Sequence, residues 1–166
     1  MILNLEPVFH NENSRHAFDY AFSLEENDLP GTHACSPVSV AGEVVNKTGL
    51  VSLEAKAGFT FQTFCARCAK SVTRKMTLPI KHFLVAKLND EDNDLYVVVE
   101  DMRLELDELV RENILLHFPS RILCSPECKG LCTVCGADLN EGPCDCKKSI
   151  DPRLSALAGL LDELDE

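Results

Sequence analysis

The chain has 166 residues, 16 Lys+Arg against 27 Asp+Glu, a formal net charge of −11 and 45% apolar content. A compact chain of this length removes roughly 70% of its unfolded surface from water, which excludes disorder and collagen-like repetition. No apolar run reaches the ~20 residues that a bilayer-spanning helix needs, so no membrane partner is expected.

The start, Met1-Ile2-Leu3-Asn4-Leu5-Glu6-Pro7, has no basic region, apolar stretch or small-residue cleavage site of a secretory signal. A cytoplasmic, reducing setting follows as the expectation. There, nine cysteines, an odd number, read as metal ligands rather than a disulfide framework. Charge is strongly segmented along the chain. Residues 1–54 carry −6, residues 55–89 carry +7 with no acid at all, residues 90–112 carry −8, residues 113–150 balance and residues 151–166 carry −4.

The first hundred residues read mainly as strands. His16 to Phe22 places apolar groups at every second position, and Ser39–Val45 and Leu50–Phe64 alternate around a break at Lys47-Thr48-Gly49 that suits a hairpin turn. Arg74–Ala86 and Leu95–Glu100 supply two further strands joined by a polar turn over Asn89–Asp94. Leu106, Leu109, Val110, Asn113, Ile114 and Leu116 then recur at helical spacing, predicting a helix that starts near Glu105 or Asp107 and ends before Pro119. In the tail, Asp151-Pro152 opens a second helix whose stripe is Leu154, Leu157, Leu160, Leu161 and Leu164. The expected fold is α+β. A curved antiparallel sheet ends in one helix (1–120), a cysteine-rich zinc module follows (121–150), and an amphipathic helix closes the chain (151–166).

Eight cysteines form four pairs: Cys65 with Cys68, Cys124 with Cys128, Cys132 with Cys135, and Cys144 with Cys146. Tetrahedral Zn²⁺ takes four thiolates at about 2.3 Å, and two thiols two or three residues apart in a tight turn reach one ion together. The short, turn-rich stretch between Cys135 and Cys144 lets Cys132, Cys135, Cys144 and Cys146 close a local site. Cys65 and Cys68 are then left to join Cys124 and Cys128 across 55 residues. Two zinc ions are the expectation. A thioredoxin-type redox pair lacks the βαβ pattern it would need after Cys68, whereas iron–sulfur ligation uses the same thiols and spacing does not separate it. Cys35, alone, reads as a small buried apolar group.

No catalytic set emerges. A catalytic zinc keeps an open position, whereas these shells are closed by thiolates, and His10, His16, His33, His82 and His117 are scattered as surface or packing residues. Phosphate loops and nucleophile elbows are missing from the sequence, so neither an enzyme nor a small-molecule substrate is expected.

Cys65-Ala66-Arg67-Cys68 after an extended segment, Leu104-Glu105-Leu106 opening a helix that ends at Phe118-Pro119, and the run from Cys124 through Gly130-Leu131-Cys132 to Cys135-Gly136-Ala137-Asp138-Leu139-Asn140 together carry a resemblance. With Cys144-Asp145-Cys146 and Ile150-Asp151-Pro152-Arg153, they resemble the cysteine-rich form of the YceD-like family, the large ribosomal RNA subunit accumulation proteins, over roughly residues 35–160. Thr133 stands where that family often has Pro, and Asp138 where Asn is common; neither change removes a thiol. The resemblance implies a non-enzymatic role in the accumulation or processing of large-subunit (23S) ribosomal RNA, by binding that RNA or a large-subunit ribosomal protein. A thiol or zinc redox-sensing regulator is the rival. For RNA contact the candidates are Arg67, Lys70, Arg74 and Lys75, which a zinc-braced hairpin could hold toward phosphates. The competing reading has these bases neutralise the acidic 90–112 segment. Phe59, Phe61 and Phe64 precede the first thiol pair, and the chain has no Trp.

Overall fold

The computed structural model describes residues 1–25, 28–87 and 96–146. In chain order the elements are β1 (Ile2–Asn4), α1 (Glu6–His10), β2 (Arg15–Phe22), β3 (Thr32–Cys35), β4 (Val38–Lys47), β5 (Leu50–Phe64), β6 (Ser71–Val85), β7 (Tyr96–Val98), β8 (Arg103–Glu105) and α2 (Leu106–His117). The main sheet runs β2-β4-β5-β6-β7, with β3 added beside β5 past the end of β4; β1 and β8 form a separate antiparallel pair.

Alternation in β5 sets the frame. Val51, Leu53, Ala55, Ala57, Phe59 and Phe61 are buried while the residues between them are more exposed, so one face of the sheet carries the core. Val38, Val40 and Val44 from β4 and Leu78, Ile80 and Leu84 from β6 extend that face. Helix α2 covers it against β6 with Leu106, Leu109, Val110 and Ile114. Asn113 adds a polar anchor, its Oδ1 lying 3.1 Å from His82 Nε2 while its Nδ2 donates to the Leu109 carbonyl. The short α1 lies against β4, where Asn46 Nδ2 donates to the Val8 carbonyl at 2.8 Å. Burying these side chains at ~25 cal/mol per Å² is the dominant stabilising term.

The Lys47-Thr48-Gly49 break is the expected β4–β5 hairpin, with Lys47 opposite Leu50 and positive φ at both Thr48 and Gly49, the primed turn that matches strand twist. Four readings change. Strand β7 pairs with β6 in parallel, Phe83 opposite Tyr96, rather than as the next antiparallel hairpin. A polar run between two strands signals a connection and carries no information about its direction. Leu116 is 76% exposed. It sits at the margin of the apolar arc, whereas Phe118 just beyond the helix still packs on Phe61 of the sheet. Strand β6 begins at Ser71, earlier than Arg74, because residues 65–70 make a compact loop that brings Ser71 opposite Phe64. Cys35 is exposed at the end of β3 rather than buried, beside the carbonyl of Ser36. The Asn89–Asp94 turn and the leucine-striped tail lie outside the described residues.

Candidate metal centres

The β5–β6 hairpin is closed by the first thiol pair. Cys65 N–H donates to the Lys70 carbonyl at 2.8 Å, Ala69 N–H returns to the Cys65 carbonyl at 2.9 Å, and Arg67 N–H points at Cys65 Sγ at 3.5 Å. The segment 132–137 repeats this loop bond for bond. Cys132 N–H donates to Ala137 O, Gly136 N–H to Cys132 O, and Val134 N–H points at Cys132 Sγ. The residue after the second cysteine takes a left-handed conformation in both, Gly136 at φ 74° and Ala69 at φ 56°. Glycine adopts that conformation freely, whereas alanine pays for it.

These loops bring the eight thiols into two groups. Cys65, Cys68, Cys124 and Cys128 form one, Cys132, Cys135, Cys144 and Cys146 the other, and in each the four Sγ atoms lie within 4.8 Å of one another. This is the partition that chain length alone indicated. Cys65 and Cys128 Sγ are 3.8 Å apart and Cys68 and Cys124 Sγ 3.6 Å. Four thiolates at about 2.3 Å from one tetrahedral centre stand about 3.8 Å from each other, so the first group matches a shell around a single ion. A multi-iron cluster, with its own sulfides inside, needs wider spacing.

Local electrostatics show why each group suits a cation. Amide N–H groups, that of Cys68 first, pull the Cys65 thiol down to about 6, and that of Cys135 leads in pulling Cys132 down to about 6. Crowding does the opposite to their partners. Cys128 and Cys68 push Cys124 up to about 12, and Cys135 pushes Cys146 up to about 12. Four thiols that repel one another's ionisation, with N–H groups aimed at their sulfurs, make each group one that a cation at its centre would stabilise.

The four basic residues divide. Arg67 Nη1 donates to the Cys128 carbonyl at 2.7 Å, and Arg74 Nη2 donates to the carbonyls of Leu123 and Cys124 at 2.8 and 3.2 Å. Lys70 Nζ bridges Asp138 and Glu141 at 2.7 and 3.1 Å; Asp138 leads in raising the Lys70 ammonium above its ordinary range, and Lys70 leads in lowering the Asp138 carboxyl. These three fasten the cysteine-rich segment 122–146 to the hairpin, so their partners lie in that segment rather than in the acidic 90–112 stretch. Lys75 stands on β6 with no ion pair among the described residues.

Sequence reasoning missed how the two groups join. Asn140, in the loop between Cys135 and Cys144, points Nδ2 at Cys128 Sγ across 3.5 Å and accepts the Lys129 N–H at 2.8 Å through Oδ1. Leu139 N–H donates to Gly130 O, and Leu131 N–H to Arg67 O. Gly130 has φ 79°, and a Cβ there would come within 3.0 Å of the Arg67 carbonyl. The Lys-Gly-Leu spacing between Cys128 and Cys132 was the available signal that the groups are contiguous.

Among the described residues, no helix is long and apolar enough to cross a membrane. No solved structure matches the chain. The chain is 30% identical over 162 residues to the uncharacterized protein YlbN of Bacillus subtilis, covering 92% of each. It is 24% identical over 165 residues to the chloroplastic large ribosomal RNA subunit accumulation protein YCED homolog 1 of Zea mays, covering 80% of this chain and 56% of that protein. A 101-residue stretch is 29% identical to the uncharacterized protein Rv2926c of Mycobacterium tuberculosis, over 58% of this chain and 49% of the relative. The family model described as large ribosomal RNA subunit accumulation protein YceD matches residues 53–161, from within β5 through both thiol groups, and the chain therefore belongs to the YceD family.

Proposed function

We propose that this protein is a non-enzymatic factor that supports accumulation of large-subunit ribosomal RNA by binding it in the cytoplasm, with two zinc ions bracing the binding body. The observation that carries the zinc is the first thiol group, whose 3.6 and 3.8 Å sulfur separations suit the edges of a tetrahedron around one zinc. Cys65, Cys68, Cys124 and Cys128 would hold one ion, and Cys132, Cys135, Cys144 and Cys146 the other. Four thiolates complete each shell and leave no position for a substrate, which supports structural rather than catalytic metal. The ribosomal role is supported by the family description and by the name of the maize relative.

The test is genetic and chemical together. Deleting the gene in its own host lowers the ratio of large- to small-subunit ribosomal RNA, the parent chain restores it, and Cys65→Ser or Cys124→Ser, which strips the first shell, does not. An unchanged ratio on deletion overturns the reading. Mild oxidant separates the redox-sensor rival, because a structural site keeps its metal at doses where a sensor releases it.

A further inference from the structure

One face of the main sheet packs on the helices, and no described element covers the other. On that outer face, near one end, Arg15 pairs with Glu43 at 3.0 Å and Lys81 with Glu54 at 3.3 Å, and the acid Asp19 on β2 lies two strands from Lys56, across Ala41. Toward the other end the register sets Lys56 opposite Pro79, Gly58 opposite Thr77, Thr60 opposite Lys75 and Gln62 opposite Thr73, ending at Phe64. This strip of β5 and β6 has no acid, and its side chains are small or polar apart from the two lysines and Phe64. Lys56 and Lys75 have no ion pair among the described residues. A shallow groove here is lined by Ser36, Ser39, Lys56, Gly58, Thr60 and Lys75.

Phe64 is 56% exposed, and His33 stacks on it at 4.7 Å with the ring planes 24° apart. An aromatic pair left open to water next to unpaired cations has the two elements of a single-strand platform, a π-face for a base and positive charge for the backbone. At ~3.3 Å per residue, Phe64, Lys75 and Lys56 fall at intervals of roughly 13 Å along the strands. A duplex hides its base faces, so a flat strip with an open ring favours a single strand. The remaining bases of the acid-free segment near the hairpin loop, Arg67, Lys70 and Arg74, are committed to the cysteine-rich segment, which leaves the positive charge of this face to the two lysines.

We infer that this outer strip, from the His33–Phe64 stack to Lys75 and Lys56, holds a single-stranded segment of RNA. The inference rests on the reading that the protein acts by binding ribosomal RNA, and it names the surface and the form of the RNA.

The experiment uses the full zinc-loaded chain and a fluorescein-labelled single-stranded RNA of about twenty nucleotides of mixed sequence, with its duplex as the comparison. The parent binds the single strand in preference to the duplex. Phe64→Ala weakens binding roughly tenfold. Lys56→Ser with Lys75→Ser reduces the slope of log affinity against log salt by about 1.4, at ~0.7 for each single-strand phosphate contact. All variants keep the parent's zinc content and melting temperature, because the altered side chains are outside both core and shells. Unchanged affinity and slope in the variants, equal affinity for duplex, or no RNA binding by the parent each overturns the inference. Variants that keep RNA affinity but lose a co-purifying ribosomal protein overturn it too, and make the strip a protein-docking face. Complementation of the deletion strain separates the two levels: a parent that restores ribosomal RNA without binding the probe defeats the strip and spares the role, whereas a deletion without effect on ribosomal RNA defeats the role itself.

Discussion

Replacing Asn140 by Ala ought to weaken the ion held by Cys65, Cys68, Cys124 and Cys128, although Asn140 belongs to the loop of the other group. Cys128 is only 1% exposed, so water does not replace a donor lost from its sulfur. The Asn140 Nδ2 donor sits 3.5 Å from that sulfur and is fixed by the Lys129 N–H on its Oδ1 and by its own donation to Asp138 Oδ1 at 2.6 Å. A hydrogen bond to a charged acceptor contributes about 1.5–3 kcal/mol, and this long N–H to sulfur contact belongs at the lower end. The expected loss is therefore about ten- to thirtyfold in zinc affinity, within the range for groups that orient metal ligands. Removing Cys144 and Cys146 together should cause a similar loss at the first group, since Asn140 then has no metal-closed loop to hold it, and adding Asn140→Ala should cost little more. Competition with a chromophoric chelator resolves the two ions by affinity. A first group that stays within twofold of the parent in Asn140→Ala, or a loss confined to the group containing Cys132, would refute a role for Asn140 at Cys128.

Three further outcomes follow from the same geometry. Arg67→Ser with Arg74→Ser removes three bonds to the carbonyls of Cys128, Leu123 and Cys124 and should cost about 2 kcal/mol after allowing for exposure, a fall of roughly 4–8 °C in melting temperature, whereas Lys75→Ser should stay within about 0.5 kcal/mol of the parent by calorimetry. Ala69→Gly relieves the left-handed conformation that Gly136 already accommodates in the sister loop, and should raise stability by about 0.5–1 kcal/mol in a denaturant titration; a loss would show that φ there is not strained. Chelating the metal should expose amides of residues 65–70 and 122–146 to hydrogen exchange while Val40, Leu53 and Ile80 stay protected. Cys65, Cys68, Cys128 and Val72 form a small cluster of their own apart from the main core, so collapse of the whole sheet on chelation would refute that separation.

The parts of the fold legible in the sequence are those with long periodic signals. Eleven residues of apolar alternation from Val51 to Phe61 made β5 readable, and the helical spacing from Leu106 to Ile114 did the same for α2. Short elements carried too little pattern: Ile2–Asn4 and Arg103–Glu105 are strands because they pair with each other across about a hundred residues, a contact with no local signature. The thiol partition was legible because loop length alone limits which pairs can share an ion. The roles of Arg67, Lys70 and Arg74 were not, since a charge map identifies unbalanced bases without their partners, and those partners were mostly backbone carbonyls, which carry no sequence signal. Lys75 differs from Arg74 only in parity along β6. That one-residue step turns Lys75 to the outer face and Arg74 toward the cysteine-rich segment.

Metal stoichiometry is the most direct test of the account. Native mass spectrometry of the purified full chain, paired with elemental analysis, should return two zinc ions per chain, with the first group's four cysteines and the second group's four each accounting for one when mutated separately. One ion per chain, iron in place of zinc, or a chain that keeps both ions after Cys65→Ser and Cys124→Ser would contradict it.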